Sequence, residues 1–441
     1  MRLAVIGAGP AGLVVARRLA DAGHRVEVFE AGPNRRPLEP RAAALDWVPG
    51  LDEADRLVGG LLVERTVGRP ASPYRQGRGV GGGAAVNGMV LDTPPIEHAM
   101  WGSLTADEVG DALASVDARL GPGHHPDAGP LGAAMADLAG ALDGWSARPA
   151  RLAAADGRRL DLAEVWGVHQ HPEITVHADR AIAELAGLGT EAARVDAAVV
   201  CAGALGTPAL LAEAGADLPD PLPGLADHPS IPLTVALRPE ARSPAGDEVA
   251  PATTLIDLDA TRTGTGSGRG SAAHLYVMDH LGADRHLGLV QLALLAPRSR
   301  GEIPHHGPPR FRLLADPDDR ADLRAQLRRL VAATAAGLGD GLGSVAEQVM
   351  ASDGTPAADL AALDDDALDA WLVDHLGAHA HAAASLGLGR HLGDDGEVAG
   401  LPDVFVADSS AFAVVPPCNP MLATLTLADA VASRLVARFG R

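Results

Sequence analysis

Gly7, Gly9 and Gly12 stand at the G-x-G-x-x-G spacing, and Glu30 follows roughly 20 residues on. These residue types at these intervals suit a dinucleotide. Glycine at the first position permits a tight turn. The second lets backbone approach a pyrophosphate, and the third lets helix and strand close on each other. The start of a helix offers free N–H groups and partial positive charge to the anion. A carboxylate at the end of the next strand accepts from a ribose hydroxyl. The flanking sequence supplies the elements this requires. Residues 3–6 are an apolar run of strand length, Leu13, Ala16, Leu19 and Ala20 recur at helical spacing, and Val26, Val28 and Phe29 make a second strand ending on Glu30. With strand, helix and acid in place, the triplet, with Pro10 and Ala11 inside it, reads as a nucleotide site rather than a nucleotide-free α/β turn.

A second glycine-rich stretch runs from Arg75 to Met89. Gly77, Gly79, Gly81, Gly82 and Gly83 fall within seven residues, too dense for ordinary helix or strand. Such a stretch brings backbone N–H groups against a ligand, and Arg78 can meet a phosphate. A flexible linker would continue into Ser-rich polar chain. This one runs into apolar residues and the single Asn87.

The third cluster is histidine-rich. His375 and His379 are four apart and could share a helical face as metal ligands, but no H-E-x-x-H arrangement or third ligand accompanies them. His381 lies two residues further. His124 and His125 are adjacent in a Gly/Pro loop and point apart, so no metal site is expected there either. Near the end of the chain, Asn419 suits an N-cap and Pro420 the first helical position, with a helix running to about Val436. The positive end of that helix would aim at whatever precedes it.

The remaining chain must position these groups. Residues 174–178 and 195–200 read as strands, and Thr207 as an N-cap with Pro208 at the first helical position. Apolar runs at 233–237 and 289–295 predict an antiparallel sheet between residues 231 and 300, with a Gly/Ser-rich loop at 263–271. Helical periodicity spans 320–376, with Asp364, Asp365 and Asp366 on a solvated face. Trp101, Trp145 and Trp166 read as core. Residues 31–75 read as excursion and loop.

Residues 81–89, Gly-Gly-Gly-Ala-Ala-Val-Asn-Gly-Met, resemble the G-G-S-S-A-I-N-G-M segment of the glucose-methanol-choline (GMC) family of FAD-dependent oxidoreductases. Gly83 and Ala84 replace its two serines, so backbone contacts survive and hydroxyl contacts are lost. Pro10 also stands where the family carries Ser or Thr. Residues 203–211 are similar to the family's G-A-x-x-[ST]-P-x-L-L, although its usual ending is replaced by residues 214–217. Residues 223–229 resemble V-G-x-x-L-x-D-H-P, which makes His228 structural. Residues 297–301 and 314–319 resemble two further family segments. Residues 381–389 resemble the family segment led by its active-site histidine, and residues 402–410 resemble the strand running into D-x-S.

The resemblance implies an FAD-binding Rossmann-like domain, 1–97, 166–230 and 390–441, interrupted by a substrate domain with an antiparallel or mixed sheet, 98–165 and 231–389: an α/β (mixed α+β) chain. It places Gly81, Gly82, Gly83, Ala84, Val86, Asn87, Gly88 and Met89 along the flavin. Ile182 falls near the adenine, Ala202, Gly203, Asp408 and Ser409 beside the cofactor, and Asn419, Pro420 and Met421 at the flavin ring. The segment holds no histidine, so FAD is expected to be non-covalent. A histidine of near-neutral pKa suits the base for an alcohol hydroxyl, and a neutral amide can steer the same oxygen. The expected reaction is therefore oxidation of a CH–OH group. His381 takes the proton, hydride passes to FAD, and Asn419 orients the substrate oxygen; His379 is the alternative base if the register slips by two. The competing readings are lyase or natural-product tailoring chemistry on the same fold, and a degenerate flavin-binding protein.

Composition narrows the partners. A formal net charge of -21 disfavours a nucleic acid or anionic membrane surface. Residues 409–428 form the longest uncharged stretch, but Pro416, Pro417, Asn419 and Pro420 interrupt it, so no membrane span is expected. Two cysteines, Cys201 and Cys418, make no disulfide framework, and the fold begins at Arg2 without a secretory signal, so a cytoplasmic location is expected. The expected partners are a small alcohol or sugar-like substrate and, as electron acceptor, O2 or a redox cofactor or carrier.

Overall fold

The structure, a computed structural model, describes residues 1–34, 44–45, 58–182, 195–246, 248–259, 273–337 and 341–440. The expected loop at 263–271 and much of the expected excursion after residue 34 lie outside the described residues.

The strands β1 (Arg2–Ile6) and β2 (Arg25–Phe29) flank helix α1 (Pro10–Asp21). Leu3 to Ile6 are all buried, which is why β1 reads as a continuous apolar run rather than an alternating one. β3 (Val58–Val63) and β4 (Ser72–Gly77) form an antiparallel hairpin. α2 (Ala106–Leu120) opens with a capping box, in which Glu108 N–H donates to the Thr105 hydroxyl and Thr105 N–H to the Glu108 carboxylate. Then follow α3 (Pro130–Gly140), β5 (Trp145–Pro149), β6 (Ile174–His177), β7 (Ala197–Val200) and α4 (Gly203–Glu213). β8 (Pro229–Leu237), β9 (Ala252–Leu258), β10 (Ala273–Met278) and β11 (Leu287–Leu294) come next. The chain ends with α5 (Pro317–Gly337), β12 (Ala346–Ala351), α6 (Asp365–His375), β13 (Val404–Val406) and α7 (Pro420–Phe439).

Two sheets organise these elements. The first is wholly parallel, in the order β13-β7-β1-β2-β6. It puts the ends of β1, β2 and β7 side by side, so the loops after them meet at one edge, as ligand sites of such sheets require. The second is antiparallel, in the order β12-β8-β11-β10-β9-β5, with residues 377–378 also pairing β8. Its outer strand β5 comes from the first half of the chain, against strands from beyond residue 229.

α7 packs on α1 and α2 and buries Met421, Leu422, Leu425, Leu427, Val431 and Leu435. It is long and apolar enough to cross a bilayer by composition, but 67% of its apolar window is buried inside the protein, so its apolarity serves the core. Trp101, Trp145 and Trp166 are buried. Asp364, Asp365 and Asp366 are exposed, and Asp364 caps α6 by accepting from Ala367 N–H.

One local expectation fails. Thr207 and Pro208 sit inside α4, which begins at Gly203 with Ala202 as its cap. The Thr207 hydroxyl accepts Ala202 N–H at 3.0 Å and donates to Asp408 at 2.5 Å. Pro208 lacks the N–H that would reach the Ala204 carbonyl. The Ser385 hydroxyl donates to that carbonyl at 2.7 Å instead, so tertiary contacts extend the helix past a residue that would otherwise start it.

Candidate active site

The opening loop and the second glycine segment meet face to face. Gly7 has φ +107, and a Cβ there would lie 2.3 Å from Cys201 O; one on Gly12 would lie 1.9 Å from Gly7 O. Gly81 N–H donates to Ala8 O at 2.8 Å, and a Cβ on Gly82 would sit 2.7 Å from Gly9 Cα. No side chain caps α1, no acid occupies its first turn, and Pro10 stands at its first position. Its N-terminal charge is therefore not neutralised by the protein. Buried Glu30 accepts from Ala8 N–H on one oxygen and from Gly32 and Gly79 N–H on the other. It thereby ties both glycine segments together and keeps acceptor capacity, since a carboxylate offers about four lone-pair positions.

Gly32 and Gly79 both donate to Glu30, and the Arg78 side chain runs across Gly32. The guanidinium is exposed and donates to Ala31 O. Ile182 is half-buried beside the core; Arg180 N–H, two residues before it, bonds Glu30 O.

Gly83 and Gly88 are exposed, Ala84 and Met89 buried, and Val86 and Asn87 half-buried. Asn87 joins three elements. Its amide donates to Met421 Sδ at 3.0 Å, and its carbonyl accepts from Met89 N–H and from Arg159 Nη1. Arg159 also donates to Ala84 O, and burial lowers its pKa to about 10. Asp408 serves the scaffold: its oxygens accept from Gly203 N–H, the Thr207 hydroxyl, Ser410 N–H and the Ser410 hydroxyl. Ser409 O accepts from Ala384 N–H, which anchors the chain just after His381.

The structure connects His381 to the segment that leads into Asn419. His381 Nδ1 lies 2.9 Å from His228 Nδ1, and His228 Nε2 lies 2.9 Å from Pro416 O, three residues before Asn419. His379 and His274 complete an imidazole cluster: the His379 ring is 4.3 Å from His381 and 5.8 Å from His274. His228 and His274 are fully buried, His379 and His381 half-buried. Burial, with the neighbouring rings, holds His381 and His379 well below the ordinary imidazole range. His228 is held at about 3 and His274 at about 4, mainly by burial. Burial and the neighbouring rings thus favour the neutral form of all four. His375 lies apart, at the end of α6, bonded to Trp371 O and paired with Asp353, so it shares no helical face with His379. Among the described residues no group of three or more His, Cys, Asp or Glu is placed to hold a metal.

Asn419 occupies the N-cap position of α7, with Pro420 first in the helix, but its side chain does not cap. Asp92 takes both its amide N–H, at 2.9 Å, and its backbone N–H, at 3.1 Å. Because a carboxylate only accepts, the Asn419 amide must turn its nitrogen toward Asp92. Burial raises the Asp92 pKa, but Arg148 and the Asn419 donors outweigh it and leave Asp92 ionised.

Sequence reasoning passed over Asp92, Arg159, Tyr74 and His274. Tyr74 donates to Asp227 at 2.7 Å and accepts from Ala382 N–H, while Asp227 accepts from the backbone N–H of both His228 and His381. Burial pushes Asp227 up to about 6. The available signal was the Asp227-His228 pair, two polar residues ahead of an apolar strand.

Residues 297–428 match a family model described as GMC oxidoreductase, and residues 5–34 match an NAD(P)-binding Rossmann-like domain. The 5-(hydroxymethyl)furfural oxidase of Methylovorus sp. (strain MP688) is 27% identical over 531 residues, covering 98% of each chain. Pyridoxine 4-oxidase from Mesorbium loti superposes with a TM-score of 0.77 at 20% identity, covering 98% of each chain. Formate oxidase from Aspergillus oryzae gives 0.79 at 15% identity, covering 99% of this chain and 98% of that one. The residues present fit FAD. The two glycine segments close to backbone contact, a Cβ on Gly83 would meet nothing within 4 Å, and α1 and α7 both begin without a side-chain cap.

Proposed function

The chain belongs to the GMC oxidoreductase family, and from that premise we propose that it oxidises a CH–OH group of a small-molecule alcohol to a carbonyl, with His381 as base and O2 as final electron acceptor. The observation that carries this reading is the hydrogen-bonded path from His381 through His228 to Pro416 O, in the segment that leads into Asn419 and the start of α7.

The start of α1 would hold the pyrophosphate, Glu30 the ribose, and residues 81–89 with the start of α7 the flavin ring. FAD, when bound, supplies the two-electron acceptor for the hydride that leaves the carbinol carbon. The neutral imidazole of His381 takes the hydroxyl proton. Asn419 has one N–H committed to Asp92. Its second N–H suits an oxygen that is losing its proton, because it is already oriented when charge develops there. The lack of histidine in residues 81–89 supports non-covalent attachment. Two buried free cysteines, Cys201 and Cys418, suit the reducing cytoplasm. The names of the relatives, oxidases of 5-(hydroxymethyl)furfural and of pyridoxine, support an alcohol substrate and oxygen as acceptor.

The test is anaerobic flavin reduction by a panel of small alcohols in the wild type and His381→Gln. The variant should keep its flavin and reduce it about 10² to 10⁴ times more slowly. Reduction within a few-fold of wild type would exclude His381 as base, and denaturation should release the flavin.

A further inference from the structure

The hydrogen bonds around His228 decide which nitrogen of His381 carries a proton. A carbonyl oxygen only accepts, so the contact between His228 Nε2 and Pro416 O requires a hydrogen on Nε2. His228 is fully buried, and burial together with His274 outweighs the pull of the Pro416 and Leu295 carbonyls and of Asp92 and keeps it neutral, so that is its one ring hydrogen. His228 Nδ1 is therefore an acceptor. Its 2.9 Å partner, His381 Nδ1, must be the donor. Neutral His381 then carries its hydrogen on Nδ1 and a bare lone pair on Nε2.

We infer that His228 is a positioning residue that selects the Nδ1–H tautomer of His381, so that Nε2 is the atom that receives the substrate proton. This rests on the reading of His381 as the base. The geometry is held at two levels. The rings meet edge-on, 5.2 Å apart at 88°. Beneath them, Asp227 accepts the backbone N–H of His228 at 2.7 Å and of His381 at 3.0 Å. The alcohol O–H bond breaks and its proton adds to Nε2, while the Nδ1–H bond is unchanged. The imidazolium so formed still donates to His228 Nδ1, and that hydrogen bond strengthens as the donor becomes charged. His379, His274, Asp227 and Asp92 are the other titratable groups that act on the pair.

Nitrogen NMR of the FAD-loaded enzyme, labelled in its histidine rings, tests the assignment, with the His381 signals identified by their loss in His381→Gln. The expected result is a protonated Nδ1 and an unprotonated Nε2; a proton on Nε2 overturns the inference. His228→Asn keeps an acceptor near the lost Nδ1, whereas His228→Leu keeps none. The asparagine variant should retain the tautomer and reduce flavin within about tenfold of wild type. The leucine variant should mix the tautomers and fall about a hundredfold in kcat at unchanged KM. A leucine variant that keeps Nδ1–H pure refutes the role of His228. Should His381→Gln be fully active while the tautomer still follows residue 228, the base assignment fails and the proton assignment stands.

Discussion

Replacing His274 with leucine is expected to stabilise the protein, and most strongly in mild acid. The ring lies on β10, is 0% exposed, and neither of its nitrogens has a hydrogen-bond partner among the described residues. Burial lowers its pKa to about 4 despite the pull of Asp92 and Asp257. In an unfolded chain the value is about 6.5. As pH falls, the unfolded chain therefore takes a proton at residue 274 from about pH 6.5 downward, while the folded chain takes none until about pH 4. Stability drains away through that window, and none is lost above it. Between pH 7 and pH 5 this one ring costs about 2 kcal/mol. Leucine is close in size and binds no proton in either state, so the variant escapes that loss. Removing two unpartnered buried nitrogens adds about 1 to 3 kcal/mol at every pH. The assay is the thermal midpoint of FAD-loaded wild type and variant at both pH values. With unfolding entropy of about 2.1 cal/mol/K per residue, 2 kcal/mol corresponds to roughly 2 °C for a chain of this length. The advantage of the variant should grow by that amount from pH 7 to pH 5. Parallel pH dependences would show that the ring is charged or satisfied in the folded state and would refute the reasoning.

Gly12→Ala is expected to cost the enzyme its cofactor, because the new Cβ would lie 1.9 Å from Gly7 O and force the opening loop apart. The purified variant should carry about a tenth or less of the wild-type flavin absorbance, a collapse that a loop able to yield would not show. Ser385→Ala should destabilise by about 1 to 3 kcal/mol by orphaning Ala204 O, and adding Pro208→Ala should recover most of the loss through the restored helical N–H. Equal thermal midpoints for the single and double variants would disprove that pairing.

How far the sequence could be read depends on where each residue finds its partner. The opening βαβ unit is local: turn, helix start and strand lie within thirty residues, so spacing alone describes it. The parallel and antiparallel sheets were foreseeable in kind, from continuous and alternating apolar runs. The start of α4 was not, because Asp408 and Ser385, more than 170 residues away, override the cap and the proline. The contact of Arg78 with Ala31 O was not legible either, because Glu30 gathers backbone N–H groups that spacing cannot show. His274 sits among apolar residues in β10 and reads as core. Its place beside His379 follows from strand order and from the turn after residues 377–378. Asp92 carries no local signal at all.

Asp92 also explains how the site divides its protons. An asparagine at an N-cap ordinarily spends its side chain on the first turn, a contact worth about 1 kcal/mol. Asn419 gives that up to Asp92, whose carboxylate takes the N-cap backbone N–H, sets a negative charge at the positive end of α7 and fixes the carboxamide. Arg148, 2.7 Å from Asp92, and the donors of Asn419 keep that carboxylate ionised against the pull of burial. An ionised carboxylate that already accepts from a guanidinium and two amide N–H groups, and is held below the usual range, is a poor base. Asp227, raised to about 6, is occupied by two backbone N–H groups and the Tyr74 hydroxyl. His228 has a donor on one nitrogen and an acceptor on the other, both already used. With these groups occupied, Nε2 of His381 is left as a place where a proton can land, and the same hydrogen bonds aim it; the ring of His379, 4.3 Å away, is another imidazole with an unpartnered nitrogen among the described residues.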